Sequence, residues 1–386
     1  MSKWKTYRLG EICDLVAGFA FKSNHFGNYA NQVIKIADIQ PPIVKKELMG
    51  VDLSTYDANK LKKYIVSRGD FVLAMTGATI GKIGRVTNDT KAYINQRVLT
   101  FRPNPLIIDK SYLYYLLSVE KFNKYILNHI DSETAQPNIS ANSIGGYEIS
   151  LPPLAEQKRI ADILGAIDDK IELNRRINAN LEQQAQALYK SWFLDNNTNK
   201  IRLEEVVKTT SGGTPSRSHT EYYGGNYGWI KSKELNGSFI SKTEESITDL
   251  AILKSSAKIL PEMSVLIAMY GATVGQYAIT SKPMTCNQAI CALLSNENYP
   301  YTYLFMVAKN KKEELINNAV GSAQQNISQV IIKDLLISND IAKIKEFHHK
   351  VAPIFGIIRK NTEENIDLST LRDTLLPKLM SGEITV

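Results

Sequence analysis

The chain repeats itself once, and that constrains its fold more than any other feature. Residues 69–81 read GDFVLAMTGATIG and residues 263–275 read MSVLIAMYGATVG. Ala74, Met75, Gly77, Ala78, Thr79 and Gly81 each recur 194 positions later, as Ala268, Met269, Gly271, Ala272, Thr273 and Gly275. The same shift aligns Arg8-Leu9 with Arg202-Leu203, Glu11 with Glu205, and Gly18 with Gly212. Farther on the register slips where loops differ in length. Asn95-Gln96 matches Asn287-Gln288, and Gln136, Asn138, Ile139 and Ser140 match Gln324, Asn326, Ile327 and Ser328. Two copies of one fold are expected.

Within each copy, short apolar runs rich in Val, Ile, Tyr and Thr are broken by Gly and Asn, as at Tyr64-Ile65-Val66, residues 71–75 and residues 98–101. That is strand composition, so each copy is expected to be a mixed, strand-rich domain. After each copy the period changes. Ile160, Leu164, Ile167, Ile171, Asn174, Asn178, Leu181, Ala185, Leu188 and Trp192 alternate steps of three and four, a heptad seam. Phe347, Val351, Ile354, Ile358, Asn361, Asn365, Leu368, Arg372, Leu375 and Leu379 repeat those steps after the second copy. Pro152-Pro153 stops the preceding strand and opens the first helix, the polar run Asn196-Asn197-Thr198-Asn199 ends it, and Pro353 is expected to kink the second helix near its start. The expected division is a first strand-rich domain over 1–152, a long helix over 153–195, a second domain over 196–338 and a second long helix over 339–386.

Each seam is apolar at its ends and carries two asparagines midway. A buried asparagine is costly unless hydrogen-bonded, and its use in a coiled coil is to fix register. Antiparallel packing of the two helices brings the four asparagines together. The expected fold class is therefore α+β, with two similar strand-rich domains separated by two long helices in an antiparallel coiled coil, a pseudo-two-fold internal repeat. Two unrelated helices, each covering its own domain, are the plainer alternative.

At 386 residues, with 44% hydrophobic and 22% charged residues, the chain exceeds one typical core and is too apolar for disorder. Lys plus Arg exceeds Asp plus Glu by 46 to 39, a mild excess that suits a polyanion or a solvated face equally. Cys13, Cys286 and Cys291 are odd in number and stand near no histidine at zinc-ligand spacing, so they read as reduced and structural. The opening Met-Ser-Lys-Trp-Lys lacks an apolar region, and no apolar run approaches the roughly 18 residues of a membrane span. No membrane partner and a cytoplasmic location are expected.

Specific words sit within this repeat. The second copy opens with Ser211-Gly212-Gly213-Thr214-Pro215-Ser216, followed by Glu221-Tyr222-Tyr223-Gly224-Gly225 and Trp229-Ile230-Lys231. Gly-Ala-Thr-Ile/Val-Gly and Gln-x-Asn-Ile-Ser occur in both copies, and Leu-Pro-Pro-Leu-Ala-Glu-Gln-Lys spans 151–158. In order and duplication, over nearly the whole chain, these words resemble the specificity subunits of type I restriction-modification systems. The first copy opens instead with Ala17-Gly18-Phe19-Ala20-Phe21-Lys22, which is similar to another variant of that family. The resemblance implies two target-recognition domains that read the halves of a split asymmetric target in double-stranded DNA. It also implies two methyltransferase (modification) subunits bound chiefly through the long helices, and motor-nuclease (restriction) subunits. Adenine methylation with S-adenosylmethionine, and ATP-dependent translocation and cutting, would belong to those partners.

The residues themselves offer no chemistry. An adenine methyltransferase holds its flipped base with an Asn/Asp-Pro-Pro-Tyr/Phe loop, whereas the Pro-Pro pairs here stand in Gln40-Pro41-Pro42-Ile43 and Leu151-Pro152-Pro153-Leu154. Residues 77–83 imitate a phosphate loop, but three residues separate the glycines where four are needed, and Ile83 stands in place of Ser or Thr. A tight strand-to-strand turn is expected there. His25, His129, His219 and the pair His348-His349 are scattered, the pair on a solvated helix face. No carboxylate cluster with a lysine stands at nuclease spacing. No catalytic residue, cofactor or metal is expected, and the alternative to a DNA reader is a structural or scaffold protein with a coiled coil and two protein-binding domains.

Base edges in the major groove are told apart by hydrogen-bond pattern, so readers are sought among polar loop residues. In the first copy these are Lys22, Ser23, Asn24, Thr76, Thr79, Lys82, Asn95, Gln96 and Arg97. In the second they are Thr214, Ser216, Arg217, Lys231, Lys233, Tyr270, Thr273, Gln276, Asn287 and Gln288. A turn or capping role competes at each, most of all at the duplicated Gly-Ala-Thr and Asn-Gln words, which belong to a shared frame.

Overall fold

The computed structural model describes residues 4–87, 89, 91–130, 137–194, 199–319 and 326–386. Gln136, Gln324 and the linker residues Asn196, Asn197 and Thr198 lie outside them. The chain forms two compact units, residues 1–169 with 369–386, and residues 170–368.

Both units contain a larger and a smaller sheet of matching strand order, each with one strand fewer in the second unit. In the first, the strand order is Cys13–Ala17, Val98–Pro103, Phe71–Ala74, Ile83–Arg85, Ile43–Val44, Ile39–Gln40, and a second sheet runs Met49–Val51, Phe26–Ile34, Ala92–Ile94, Ile65–Val66. In the other, Lys208–Ser211, Ile290–Leu294, Val265–Ala268, Tyr277–Thr280 and Phe239–Ile240 form the larger sheet, and Ser246–Ile247, Tyr223–Ile230 and Thr285–Cys286 the smaller. The repeated apolar segments, Phe71–Ala74 and Val265–Ala268, are interior strands. Their side chains alternate between two cores: Phe71 and Leu73 face the helical side, while Val72 and Ala74 face the smaller sheet. Val265 and Ile267 divide from Leu266 and Ala268 in the same way. A strand walled by apolar groups on both faces reads as a continuous apolar run, and for that reason the repeat is so visible.

Two long helices follow, Leu154–Phe193 and Ile341–Ser381. In the first unit, Ile160, Ala161 and Leu164 join Leu379 and Met380 over a core containing Tyr112, Leu113 and Phe122. In the second, Ala185, Tyr189 and Phe193 join Phe347, Val351, Phe355 and Ile358 over Tyr303 and Phe305. Each strand-rich core is thus closed by the start of one helix and the end of the other. The antiparallel sense follows from the pairs inside the second unit, Asn174 with Asn365 and Asn178 with Asn361.

Those asparagines form a satisfied polar layer. Asn174, buried, donates through Nδ2 to Asn365 Oδ1 at 3.0 Å and Glu364 Oε2 at 2.8 Å, while its Oδ1 accepts from Lys170 Nζ at 3.1 Å. Asn361 Nδ2 donates to Asn178 Oδ1 at 2.8 Å, and Asn178 Nδ2 donates to the Ile358 carbonyl at 3.3 Å. A slip of either helix would strand these groups without partners, so the layer selects one register. Around it, Ile160, Leu164, Ile171, Val351, Ile358 and Leu379 are buried, and Ile167, Leu181, Leu188, Ile354, Leu368 and Leu375 half-buried. The second helix runs unbroken through Pro353. Pro353 is exposed, so the carbonyl it leaves unbonded one turn earlier faces water and the helix persists. His348 departs from the solvated placement expected for it: half-buried, its Nδ1 lies 2.9 Å from the buried Thr302 Oγ1, and burial lowers its pKa.

Gln157 explains one of the sequence words. Almost fully buried at 1% exposure, it accepts from the Asp109 N–H at 2.9 Å and donates to the carbonyls of Ile107 and Pro152 at 3.1 and 2.9 Å. It ties the first turn of the long helix to the loop before the helix Lys110–Ser118. Gln157→Ala takes the side-chain partner from one buried and two partly buried backbone groups and is expected to cost about 2–3 kcal/mol, measured by urea unfolding. A shift below about 0.5 kcal/mol would show that the tie is dispensable.

Candidate nucleic-acid interface

The duplicated words meet at one backbone junction in each unit. Strand Phe71–Ala74 ends in a turn, Gly77–Thr79, that leads into its antiparallel neighbour Ile83–Arg85. Gly77 and Gly271 adopt φ of +71° and +69°, which only glycine takes without strain. Thr79 Oγ1 donates to the Thr76 carbonyl at 3.5 Å, and Thr273 Oγ1 to the Tyr270 carbonyl at 3.0 Å. Thr76 bridges Asn138, and Tyr270 bridges Asn326. The Met75 N–H donates to the Arg97 carbonyl at 2.9 Å, and the Met269 N–H to the Ala289 carbonyl at 2.8 Å. The Gly-Ala-Thr, Asn-Gln and Asn-Ile-Ser words are therefore frame. Thr76 itself is buried at 5% exposure, out of reach of a ligand.

In the second unit the opening words are parts of one contact. Trp229 Nε1 donates to the Gly213 carbonyl at 3.0 Å, and Tyr223 Oη to the Pro215 carbonyl at 2.7 Å. A Cβ on Gly212 would lie 2.0 Å from the Cys286 carbonyl oxygen, and one on Gly213 2.4 Å from Ser256. The segment 211–216 is thereby pressed onto the smaller sheet, leaving Thr214, Ser216 and Arg217 exposed.

These exposed groups join a polar patch. Thr214 Oγ1 donates to Gln288 Oε1. Arg217 lies over the rings of Tyr223 and Trp229, 4.5 and 5.3 Å from their centroids, and donates to both carboxylate oxygens of Glu245 at 2.7 and 3.3 Å. Lys231 also bonds Glu245, and Lys233 pairs with Glu244 at 2.7 Å. The Arg217 and Lys231 hydrogen bonds hold the Glu245 carboxyl down at about 2, so it stays ionised and the pairs persist down to that pH. Asn287 is half-buried, its Oδ1 accepting from the Ala289 N–H at 3.1 Å. Gln276 points elsewhere, toward the helix Tyr301–Asn317, where it accepts from Lys312 Nζ at 3.2 Å.

In the first unit the Gly-Phe-x-Phe-Lys opening builds an aromatic cluster in which Phe19 and Phe21 meet Tyr56, Tyr64, Phe26 and Tyr93. On it ride the exposed Lys22, Ser23 and Asn24, and the Lys22 N–H donates to Tyr56 Oη at 3.0 Å. Asn95 Oδ1 accepts from the Gln96 N–H at 2.9 Å, leaving Gln96 and Arg97 exposed. Lys82 stands apart. It lines a cleft of about 610 Å³ on the helical side, with Asn123, Tyr115 and the ion pair of Asp168 and Arg372, 2.8 Å apart. Sequence reasoning missed Glu244 and Glu245, because readers were sought among neutral and basic loop residues, and it missed Lys35.

Among the described residues no group of three or more His, Cys, Asp or Glu is placed to hold a metal ion, and no helix is long and apolar enough to cross a membrane.

The family model described as the type I restriction modification DNA specificity domain matches residues 1–183 and 196–339. The type I restriction enzyme HindI specificity subunit of Haemophilus influenzae is 26% identical over the full length of both chains. The MjaIX specificity subunit of Methanocaldococcus jannaschii is 24% identical, covering 82% of this chain and 78% of its own. Among solved structures, a type I restriction-modification S subunit from M. genitalium superposes with a TM-score of 0.58 at 17% identity, covering 97% of this chain and 96% of its own, which is a likeness of fold. With its model matched twice, once in each copy of the repeat, the chain belongs to the type I restriction-modification DNA specificity family.

Proposed function

We propose that the chain reads a split, asymmetric target in double-stranded DNA, one half with each strand-rich domain, and recruits two methyltransferase subunits and motor-nuclease subunits that perform the chemistry. The observation that carries this reading is the duplicated frame bearing different exposed polar loops: Lys22, Ser23, Asn24 and Arg97 in one unit, Thr214, Ser216, Arg217 and Lys233 in the other. A common frame with divergent edges suits the recognition of two different base sequences. Docking of methyltransferase subunits on the long helices is supported by Leu173, Ile177 and Ile357, apolar side chains that are 50%, 38% and 47% exposed away from the buried seam.

The purified chain is expected to bind DNA with an affinity that falls steeply with salt, because phosphate contacts release counterions. It is expected neither to methylate nor to cut DNA when supplied with S-adenosylmethionine, ATP and magnesium. Turnover that tracks this polypeptide through purification overturns the non-catalytic reading. Salt-independent binding favours the scaffold alternative.

A further inference from the structure

Lys35 and Lys231 occupy the same place in the two units. Each directly follows a strand, Phe26–Ile34 or Tyr223–Ile230, and caps a short 3₁₀ turn whose carboxylate accepts its N–H: Asp38 for Lys35 at 2.8 Å, Glu234 for Lys231 at 2.7 Å. Each strand runs parallel to one that delivers the Asn-Gln word, and the bond from Asn95 N–H to the Ile34 carbonyl, 3.0 Å, has its counterpart from Asn287 N–H to the Ile230 carbonyl, 2.9 Å. On the other side the strands are paired antiparallel. Val33 faces Met49, and the Trp229 N–H bonds the Glu245 carbonyl, so Met49 and Glu245 are equivalent too.

At this matched position the electrostatics differ. Lys35 Nζ rests 3.2 Å from Met49 Sδ and 3.7 Å from the centroid of the Phe26 ring, and among the described residues it makes no ion pair. Lys231 Nζ bonds Glu245, which also grips Arg217 through both oxygens. We propose that Lys35 and Lys231 are the equivalent DNA-facing position of the two domains, and that the residue opposite, Met49 or Glu245, sets whether its ammonium meets DNA bare or already neutralised. This rests on the DNA-reading function proposed above. A bare ammonium seeks an acceptor, either a phosphate oxygen or the O6/N7 edge of guanine. The cluster of Arg217, Lys231 and Lys233 with Glu244 and Glu245 keeps one net positive charge, so it adds less counterion release than three bare cations would, and the second unit recognises by shape and polar groups more than by charge.

The test is the salt dependence of binding by the full chain to random-sequence duplex DNA. Lys35→Gln is expected to flatten the log K against log salt slope by about 0.9, equivalent to a threefold to fourfold smaller loss between about 50 and 200 mM salt. Met49→Glu is expected to do the same by pairing Lys35, and the double variant, which leaves the new carboxylate unpaired, to flatten the slope further. Glu245→Gln is expected to steepen the slope by about 0.9, because one carboxylate charge is removed and Lys231 keeps Glu244 at 3.4 Å. A Lys35→Gln loss uniform over the duplex pool marks a phosphate contact. A loss confined to sequences with a guanine at one position marks a base edge, and either supports the proposal. Folded variants, judged by thermal melting, with the wild-type slope and sequence preference overturn it. A wild-type chain without any salt slope overturns the DNA-reading function instead.

Discussion

Trp229→Ala is expected to destabilise the second unit by about 3–5 kcal/mol and to abolish its recognition of DNA. The indole is 3% exposed and packs among Tyr222, Tyr223, Tyr227, Ile247 and Ala257. Truncation removes that burial, leaves the Gly213 carbonyl without its donor and takes away one of the two rings beneath Arg217. The segment 211–216 then loses its anchor on the smaller sheet. Trp229→Phe keeps most of the packing and loses the N–H, so a cost nearer 1–2 kcal/mol is expected. Urea unfolding gives the energies, and hydrogen exchange of residues 211–217 reports the anchor. Wild-type protection of that segment in Trp229→Ala would separate the tryptophan from the loop it is held to position.

The repeat and the helices were legible because their signals are periodic. Interior strands buried on both faces produce continuous apolar runs, and a heptad seam produces steps of three and four. The asparagines were conspicuous as the polar interruptions of an apolar seam, and their partners follow from antiparallel packing alone. Groups whose role depends on a neighbour distant in sequence were not legible. Lys35 matches Lys231 only at a shift of 196, whereas the Gly-Ala-Thr words match at 194 and the Asn-Gln words at 192, so loop-length differences hid the pair. Glu245 acquires its meaning from Arg217, 28 residues away. Thr76 looked like an exposed turn hydroxyl, yet the Asn138 segment covers it. Lys82 and Gln276 follow the Gly-Ala-Thr turn closely in sequence, but the turn reverses the chain and delivers them to the helical side. Gln157 sits in a recognisable word whose physical reason, three backbone partners in a buried corner, exists only in the folded chain.

The division of labour between the domains meets its most direct test in an exchange. Residues 1–152 are replaced by the first domain of another family member, with Gln157, Ile160, Leu164 and Leu379 retained so that the first core can close against the same helix surfaces. The hybrid is expressed with the proposed methyltransferase partner, and modified adenines are mapped across the genome. The expected result is a target in which one half is wholly new, and the other half is the one read by the unchanged residues 196–338. A folded, active hybrid that alters both halves, or neither, would contradict the assignment of one half-target to each domain.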